Sequence, residues 1–436
     1  MTTSRGRVPD SPREGAPARE RSIPRNLLPN RLGLVCAGGG LTGAYYEMGT
    51  LAAIEDRLED SSLNDFHVFV GVSAGAYIAA LLANGVTPGS LYRTVTRPPA
   101  TITVDELALF KLNTSEIASR LAAAPLTVID AAWHFYKNRR ETTLTDLVQS
   151  LGQILPSGIF LNEGLEEWVA KWLAHPERTN DFRKLEKVLR IVAVELDTGE
   201  TCAFGSPGHD DVPISRAVRA SCTIPGLYRP VKIKGIEYID GGVKKTANVS
   251  LALRERCGLV ICVNPIVPIR FPHVVEAGNG NGNGNGNGHR TQGALARRGL
   301  PTILDQVFRV TLHSRMRYGM QRYRRETPDA DIVLFEPRPE DLPRFMHGNI
   351  MRTSGRARIA EYAYRSTMAR FDEDYAWLSR VFARHGLRLR PRAPETSRTL
   401  RHAELYALLA TGDMPTRLAA SLETLEMELE KAAARR

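Results

Sequence analysis

The run Gly71-Val72-Ser73-Ala74-Gly75 sets a serine between two glycines. Where such a run joins a strand to a helix, the turn is so tight that a Cβ at either flank would strike its neighbours, so both flanks call for glycine. The serine hydroxyl then stands at the C-terminal edge of a sheet, at the positive end of the helix that follows. A hydroxyl held there is a nucleophile for acyl transfer. The five-residue pattern is weak by itself, and its context gives it weight: the strand-like run His67–Val72 precedes it and the apolar helical run Ala74–Ala83 follows.

Two other glycine-bearing motifs complete the chemistry. Gly38-Gly39-Gly40-Leu41-Thr42-Gly43 satisfies Gly-x-Gly-x-x-Gly. A dinucleotide site of that pattern calls for an acid about 20 positions on, at the end of the second strand. Here that strand ends at Ser73, and Glu59 and Asp60, which have the spacing, close a helix. The favoured reading is that the N–H groups of Gly38, Gly39, Gly40 and Gly43 gather on one spot to stabilise an oxyanion; a purely structural turn stays open. Asp240-Gly241-Gly242 follows the strand-like run Val231–Ile239. A carboxylate ending that strand is expected on the same sheet edge as Ser73, where it would take the serine proton without a histidine. Desolvation must raise its basicity for that role. An ordinary Asp-Gly turn is the alternative.

The elements that must hold these groups follow from the apolar spacing. Leu32–Ala37 reads as a buried strand running into the first glycine loop, and Thr42–Leu58 as a helix with Ala44, Met48, Leu51 and Leu58 near one face. Two strand–turn–helix units in succession predict a parallel sheet covered by helices. Residues 103–180 read as mainly helical, and strands resume at Leu189–Leu196, Val231–Ile239 and Leu259–Val263. Residues 1–31, rich in Arg, Pro and Ser, are expected to be a disordered basic tail, and the Asn-Gly repeat within 276–300 a flexible loop. From 301 to 436 the chain is expected to be helical and partly packed on the catalytic domain. Leu304, Phe308, Leu312, Met316 and Met320 recur every four residues there, among Arg309, Arg315, Arg317, Arg322, Arg324 and Arg325. That helix either lies on an anionic membrane or packs on the sheet with a solvated Arg face. Leu418, Leu422, Leu425 and Leu429 have the spacing of a coiled-coil seam or of a docked tail helix.

Composition sets outer limits. With 43% hydrophobic and 24% charged residues the chain is globular, and its net charge of +10 favours an anionic partner. No zinc-finger or RNA-binding signature appears, so nucleic acid is not expected. Five scattered cysteines, with Cys36, Cys222 and Cys262 in core-like surroundings, suit a reducing, cytoplasmic setting, peripheral at most to a membrane. No run approaches the roughly 18 apolar residues of a bilayer span.

The three motifs, in this order, resemble the patatin-like phospholipases. Ala220-Ser221-Cys222-Thr223-Ile224-Pro225-Gly226-Leu227-Tyr228-Arg229-Pro230-Val231 is similar to the stretch that precedes the aspartate in that family, and Gly158-Ile159-Phe160 with Leu165-Glu166 to another recurrent stretch. The resemblance covers residues 32–265. It implies a three-layer α/β/α sandwich with a mostly parallel central sheet, here followed by a helical C-terminal extension. It further implies a Ser73–Asp240 dyad, an oxyanion hole in the glycine loop, and hydrolysis of lipid acyl esters through an acyl-enzyme, with no metal or soluble cofactor. Two departures stand out: Thr42 occupies a place where the family often has Arg or Lys, and Lys244–Ser250 replaces the family's short spacer and Asn-x-Pro.

Three rivals remain at this level. A Ser–Asp–His triad would need His273, His289, His313 or His347. An acyltransferase or neutral lipase would use the same dyad. A silent lipid-binding member of the fold would keep the residues without turnover.

Overall fold

The apolar side chains of the central strands alternate, and the alternation sends them into two separate cores. On strand β1 (Leu28–Cys36), Leu34 and Cys36 enter one cluster, while Val35 and the adjoining Ala37 enter the other. Strand β2 (Val68–Val72) divides the same way, with Phe69 opposite Val68, Val70 and Val72. This is the period of two expected when both faces of a sheet are covered by helices. The computed structural model describes residues 23–24, 26–96, 110–120, 122–124, 155–270, 295–339 and 355–391. Most of the expected basic tail, the Asn-Gly repeat, the leucine seam at 418–429 and His273, His289 and His347 lie outside the described residues.

In chain order, β1 leads into helix α1 (Gly40–Arg57), and β2 into α2 (Ala74–Ala83) and α3 (Pro88–Thr96). Strands β3 (Lys111–Leu112) and β4 (Gly158–Leu161) precede α4 (Glu163–Leu173), and β5 (Val188–Glu195) and β6 (Thr201–Phe204) precede α5 (Ile214–Ser221). Then come β7 (Gly226–Tyr228), β8 (Val231–Ile233), β9 (Ile236–Asp240), α6 (Val249–Arg254) and β10 (Cys257–Val263). Helix α7 (Leu300–Glu326), β11 (Asp331–Phe335), α8 (Arg356–Glu373) and α9 (Tyr375–Arg384) close the described chain.

β11, β10, β1, β2 and β5 are neighbours in that order and all parallel. The larger core lies between this sheet and the layer that includes α1, α2, α5 and α8; α6 and the second half of α7 cover the opposite face. The fold is therefore the expected three-layer α/β sandwich with helices from the C-terminal region.

Four expectations need correction. The run Val231–Ile239 is a hairpin, because Lys234 and Gly235 both take positive φ (51° and 87°) and turn β8 back on β9. The first strand begins at Leu28, four residues before the expected start. Within 103–180, the described residues include β3 and β4, which form a small sheet with β7. Finally, the sheet runs on past residue 265, since β11 adds a parallel strand beside β10.

The C-terminal region is also fastened to α1. Gly49 lets α8 approach so closely that an added Cβ would lie 2.0 Å from the Ala360 carbonyl oxygen. α1 is consequently buried nearly all round rather than along one stripe. At its end, the fully buried Arg57 pairs with Asp372 and donates to the carbonyls of Arg390 and Pro391.

Candidate active site

β2 and β9 meet head-on. Val192 and Ala193 of β5 each pair with β6 on one edge of that strand, so the other edge serves both β2 and β9. Val72 pairs with Val192, and Asp240, arriving from the opposite direction, pairs with Ala193. Asp240 therefore ends a strand that runs antiparallel to β5 and opposite to β2. The carboxylate nevertheless reaches Ser73, because the two strand ends converge on adjacent residues of β5.

Ser73 sits at φ 53° and ψ −125°, outside the regions an L-residue prefers. Its surroundings fix it there. Its N–H donates to Ser221 Oγ at 2.8 Å, and its carbonyl accepts from Ala76 N–H at 2.8 Å and from Cys222 Sγ at 3.0 Å. The flanking glycines are obligatory: a Cβ on Gly71 would lie 2.5 Å from Ala76 Cα, and one on Gly75 would lie 2.3 Å from the Cys36 oxygen.

Asp240 is 5% exposed. Its N–H donates to the Thr223 carbonyl at 2.8 Å, and its Oδ1 accepts the Gly242 N–H at 2.7 Å. Gly241 has its own constraint, because an added Cβ would stand 2.4 Å from the Val192 oxygen. Ser73 and Asp240 border the same cavity, with the serine side chain near enough to the carboxylate to favour its ionised form. Burial pushes the Asp240 carboxyl up to about 6, against the opposing pull of Ser73 and of the bond from Gly242. At neutral pH it is still ionised, and it is a better proton acceptor than an exposed carboxylate.

Both groups open on a cavity of about 390 Å³. Gly38, Gly39 and Gly40 border it on one side, and Ile224, Pro225, Val243, Ile266, Leu304 and Phe308 make its wall mainly apolar. The N-termini of α1 and α2, capped by Gly39 and Ser73, bring the positive ends of two helices to the site.

Two of the four N–H groups expected to line an oxyanion hole are spent on other carbonyls. Gly38 N–H is committed to the Thr246 carbonyl at 3.0 Å, and Gly43 N–H to the Gly39 carbonyl at 3.0 Å. Gly39 and Gly40 keep first-turn N–H groups that the helix's own ladder does not use. Gly38 and Gly43 serve packing instead: a Cβ on Gly38 would approach Ser73 Cβ to 3.2 Å, and one on Gly43 would approach Pro265 Cγ to 3.0 Å. Thr42 turns its hydroxyl back to the Gly39 carbonyl, 3.5 Å away.

Among the described residues no histidine borders the cavity. His313 lies on α7 with Nε2 3.8 Å from Glu336 Oε1. Sequence reasoning missed three participants. Ser221 and Cys222, which hold the Ser73 backbone, stand in the stretch quoted before the aspartate. Arg309, counted among solvated charges, is buried and borders the cavity.

The model of the family described as patatin-like phospholipase matches residues 34–253. An uncharacterized protein of Bacillus subtilis, YqhO, is 26% identical over 240 residues, covering 52% of this chain and 69% of that protein. A protein of Invertebrate iridescent virus 6 named probable lipid hydrolase 463L is 21% identical over 221 residues, 51% of this chain and 63% of the relative. Among solved structures, VipD from Legionella pneumophila aligns over 80% of this chain and 68% of its own at 15% identity, with a TM-score of 0.35.

Proposed function

The chain belongs to the patatin-like phospholipase family, and on that premise we propose that it is a serine hydrolase of lipid acyl esters working through a Ser73–Asp240 dyad. The observation that carries the reading is the placement of Ser73 beside a buried carboxylate, both bordering one apolar cavity at the N-termini of two helices.

In this mechanism Ser73 Oγ attacks the ester carbonyl carbon as its proton passes to Asp240. Negative charge develops on the carbonyl oxygen, where the Gly39 and Gly40 N–H groups and the α1 dipole stabilise it. Collapse of the tetrahedral intermediate breaks the carbon–oxygen bond to the alcohol, which leaves with the proton from Asp240. Asp240 then takes a proton from water, the resulting hydroxide attacks the acyl-enzyme, and the proton returns to Ser73 as the fatty acid departs.

The surroundings suit a substrate drawn from a lipid surface. Leu300, Ile303, Leu304 and Val307 form an exposed apolar stripe on α7, and Leu304 also borders the cavity. Farther along the helix Arg315, Arg317, Arg322, Arg324 and Arg325 are exposed, as contact with anionic lipid would require. No described helix is long and apolar enough to cross a membrane. The test is fatty-acid release from mixed phospholipid vesicles by the wild type and by Ser73→Ala. Release by the wild type alone supports the reading; equal release by both defeats it.

A further inference from the structure

Arg309 is 3% exposed, although it lies on a helix whose other arginines face solvent. It comes from the first half of α7, the part that spans the cavity, and it borders that cavity together with Ser73 and Asp240. Its Nε donates to Asp305 Oδ2 at 2.8 Å, one helical turn back, and Asp305 borders the cavity too. The guanidinium's two terminal nitrogens make no hydrogen bond with any described residue. Among the described residues, four N–H donors therefore have no acceptor in a wall otherwise built from Ile224, Pro225, Ile266, Phe308 and Leu312.

A cation enclosed by apolar side chains is costly where its donors find no acceptor. Asp305 meets only part of the cost. It holds the fork by Nε, which fixes the guanidinium plane and leaves the terminal nitrogens for a second partner. A planar pair of N–H groups matches two oxygens of a phosphate or carboxylate in a bidentate grip. The glycine loop offers no competing cation, since its one side chain suited to reach an anion is Thr42, and that hydroxyl turns back to Gly39.

We propose that Arg309, oriented by Asp305, is the binding site for the phosphate of the lipid headgroup, so that the preferred substrate is a phosphodiester-bearing glycerolipid rather than a neutral glyceride. The proposal rests on the lipid-ester reading of the same cavity. An ester held at Ser73 with its phosphate at Arg309 is anchored at two points, and its acyl chain is left to the apolar wall. A neutral glyceride would leave the guanidinium unmatched, and that desolvation cost would tell against it.

The test uses a matched pair of esters, dihexanoyl phosphatidylglycerol and dihexanoylglycerol, with the wild type, Arg309→Gln and the double variant Arg309→Gln/Asp305→Asn, which leaves no unpaired carboxylate. The readout is the ratio of kcat/KM for the phospholipid to that for the neutral ester. Loss of a charge-assisted bidentate contact should lower this ratio by about 10- to 100-fold in both variants. An unchanged ratio would overturn the proposal and leave Arg309–Asp305 a structural ion pair. Binding to Ser73→Ala, with and without Arg309→Gln, supplies an arm that needs no turnover. Phosphatidylglycerol should bind at least about 10-fold more weakly without the arginine, and equal affinity would sink the proposal. Should the wild type cleave neither ester, the hydrolase reading fails, while the binding arm still decides the anion site.

Discussion

Ser221 holds Ser73 by its backbone: the Ser221 hydroxyl accepts the Ser73 N–H at 2.8 Å and donates to the Val192 carbonyl at 2.6 Å. The strained serine is thereby fastened to β5, the strand with which Asp240 also pairs. Ser221→Ala removes the acceptor and leaves a buried N–H unmet, at a cost of about 1–3 kcal/mol. Chemical denaturation should register that loss, and kcat should fall by roughly tenfold as Ser73 relaxes. Undiminished kcat would show that this anchor has no part in positioning the serine.

The raised Asp240 carboxyl ties activity to pH. In the proposed dyad only the carboxylate accepts the serine proton, so kcat/KM should climb with pH through about 6 and level off above it. A profile already flat from pH 5 upward would contradict the assignment of Asp240 as base.

The same shift predicts that the site weakens the fold. Asp240 titrates near 6 when folded and near the usual carboxylate value when unfolded, so the folded state binds the proton more tightly. The ionised folded form is therefore disfavoured: the penalty is absent below about pH 4, grows as the pH rises to 6, and is complete above. Asp240→Asn should abolish turnover yet stabilise the protein by about 1–3 kcal/mol at pH 7, with the gain shrinking toward pH 4. Thermal melts of both proteins across that range would check it.

Gly39 allows a close approach. A Cβ there would lie 2.5 Å from Pro265 Cγ and 2.8 Å from Gly43 Cα, so Gly39→Ala must move the first turn of α1 off Pro265. Because that turn holds both proposed oxyanion donors, kcat should drop about 100-fold or more while labelling of Ser73 by a fluorophosphonate slows in step. Unimpaired turnover would remove the glycine loop from the oxyanion site.

Arg57 should matter for stability alone. It is fully buried, pairs with Asp372 and donates to two carbonyls near residue 390, so Arg57→Ala strands buried acceptors and opens a cavity. A loss of about 3–5 kcal/mol is expected in denaturant titration. Retention of full stability would mean that the C-terminal region docks by its apolar contacts alone.

Much of this was legible in the sequence because it depends on local rules. The elbow needs a strand, two glycines and a helix, and the helix spans Ala74–Ala83 as the apolar run predicts. What escaped depends on neighbours far along the chain. The run Asp331–Phe335 is short and follows a basic helix, and only its place beside β10 makes it a strand. Arg309 shares a helix with five exposed arginines, and nothing in the four-residue spacing tells which charge the cavity will enclose. The direction of β9 turned on Lys234-Gly235, a turn hidden inside what reads as one continuous strand.

The head-on meeting of β2 and β9 makes β5 a ruler. Val192 and Ala193 are consecutive, so the gap between the two strand ends is fixed by a single peptide unit and not by any loop. A twist or bend of the sheet carries both ends together and leaves their separation unchanged. A slip of β9 by one residue would instead turn Asp240 to the opposite face. Damage to this site can therefore be silent in every pocket residue: an insertion in the β8–β9 turn that shifts the pairing would separate Asp240 from Ser73 while their surroundings stay intact.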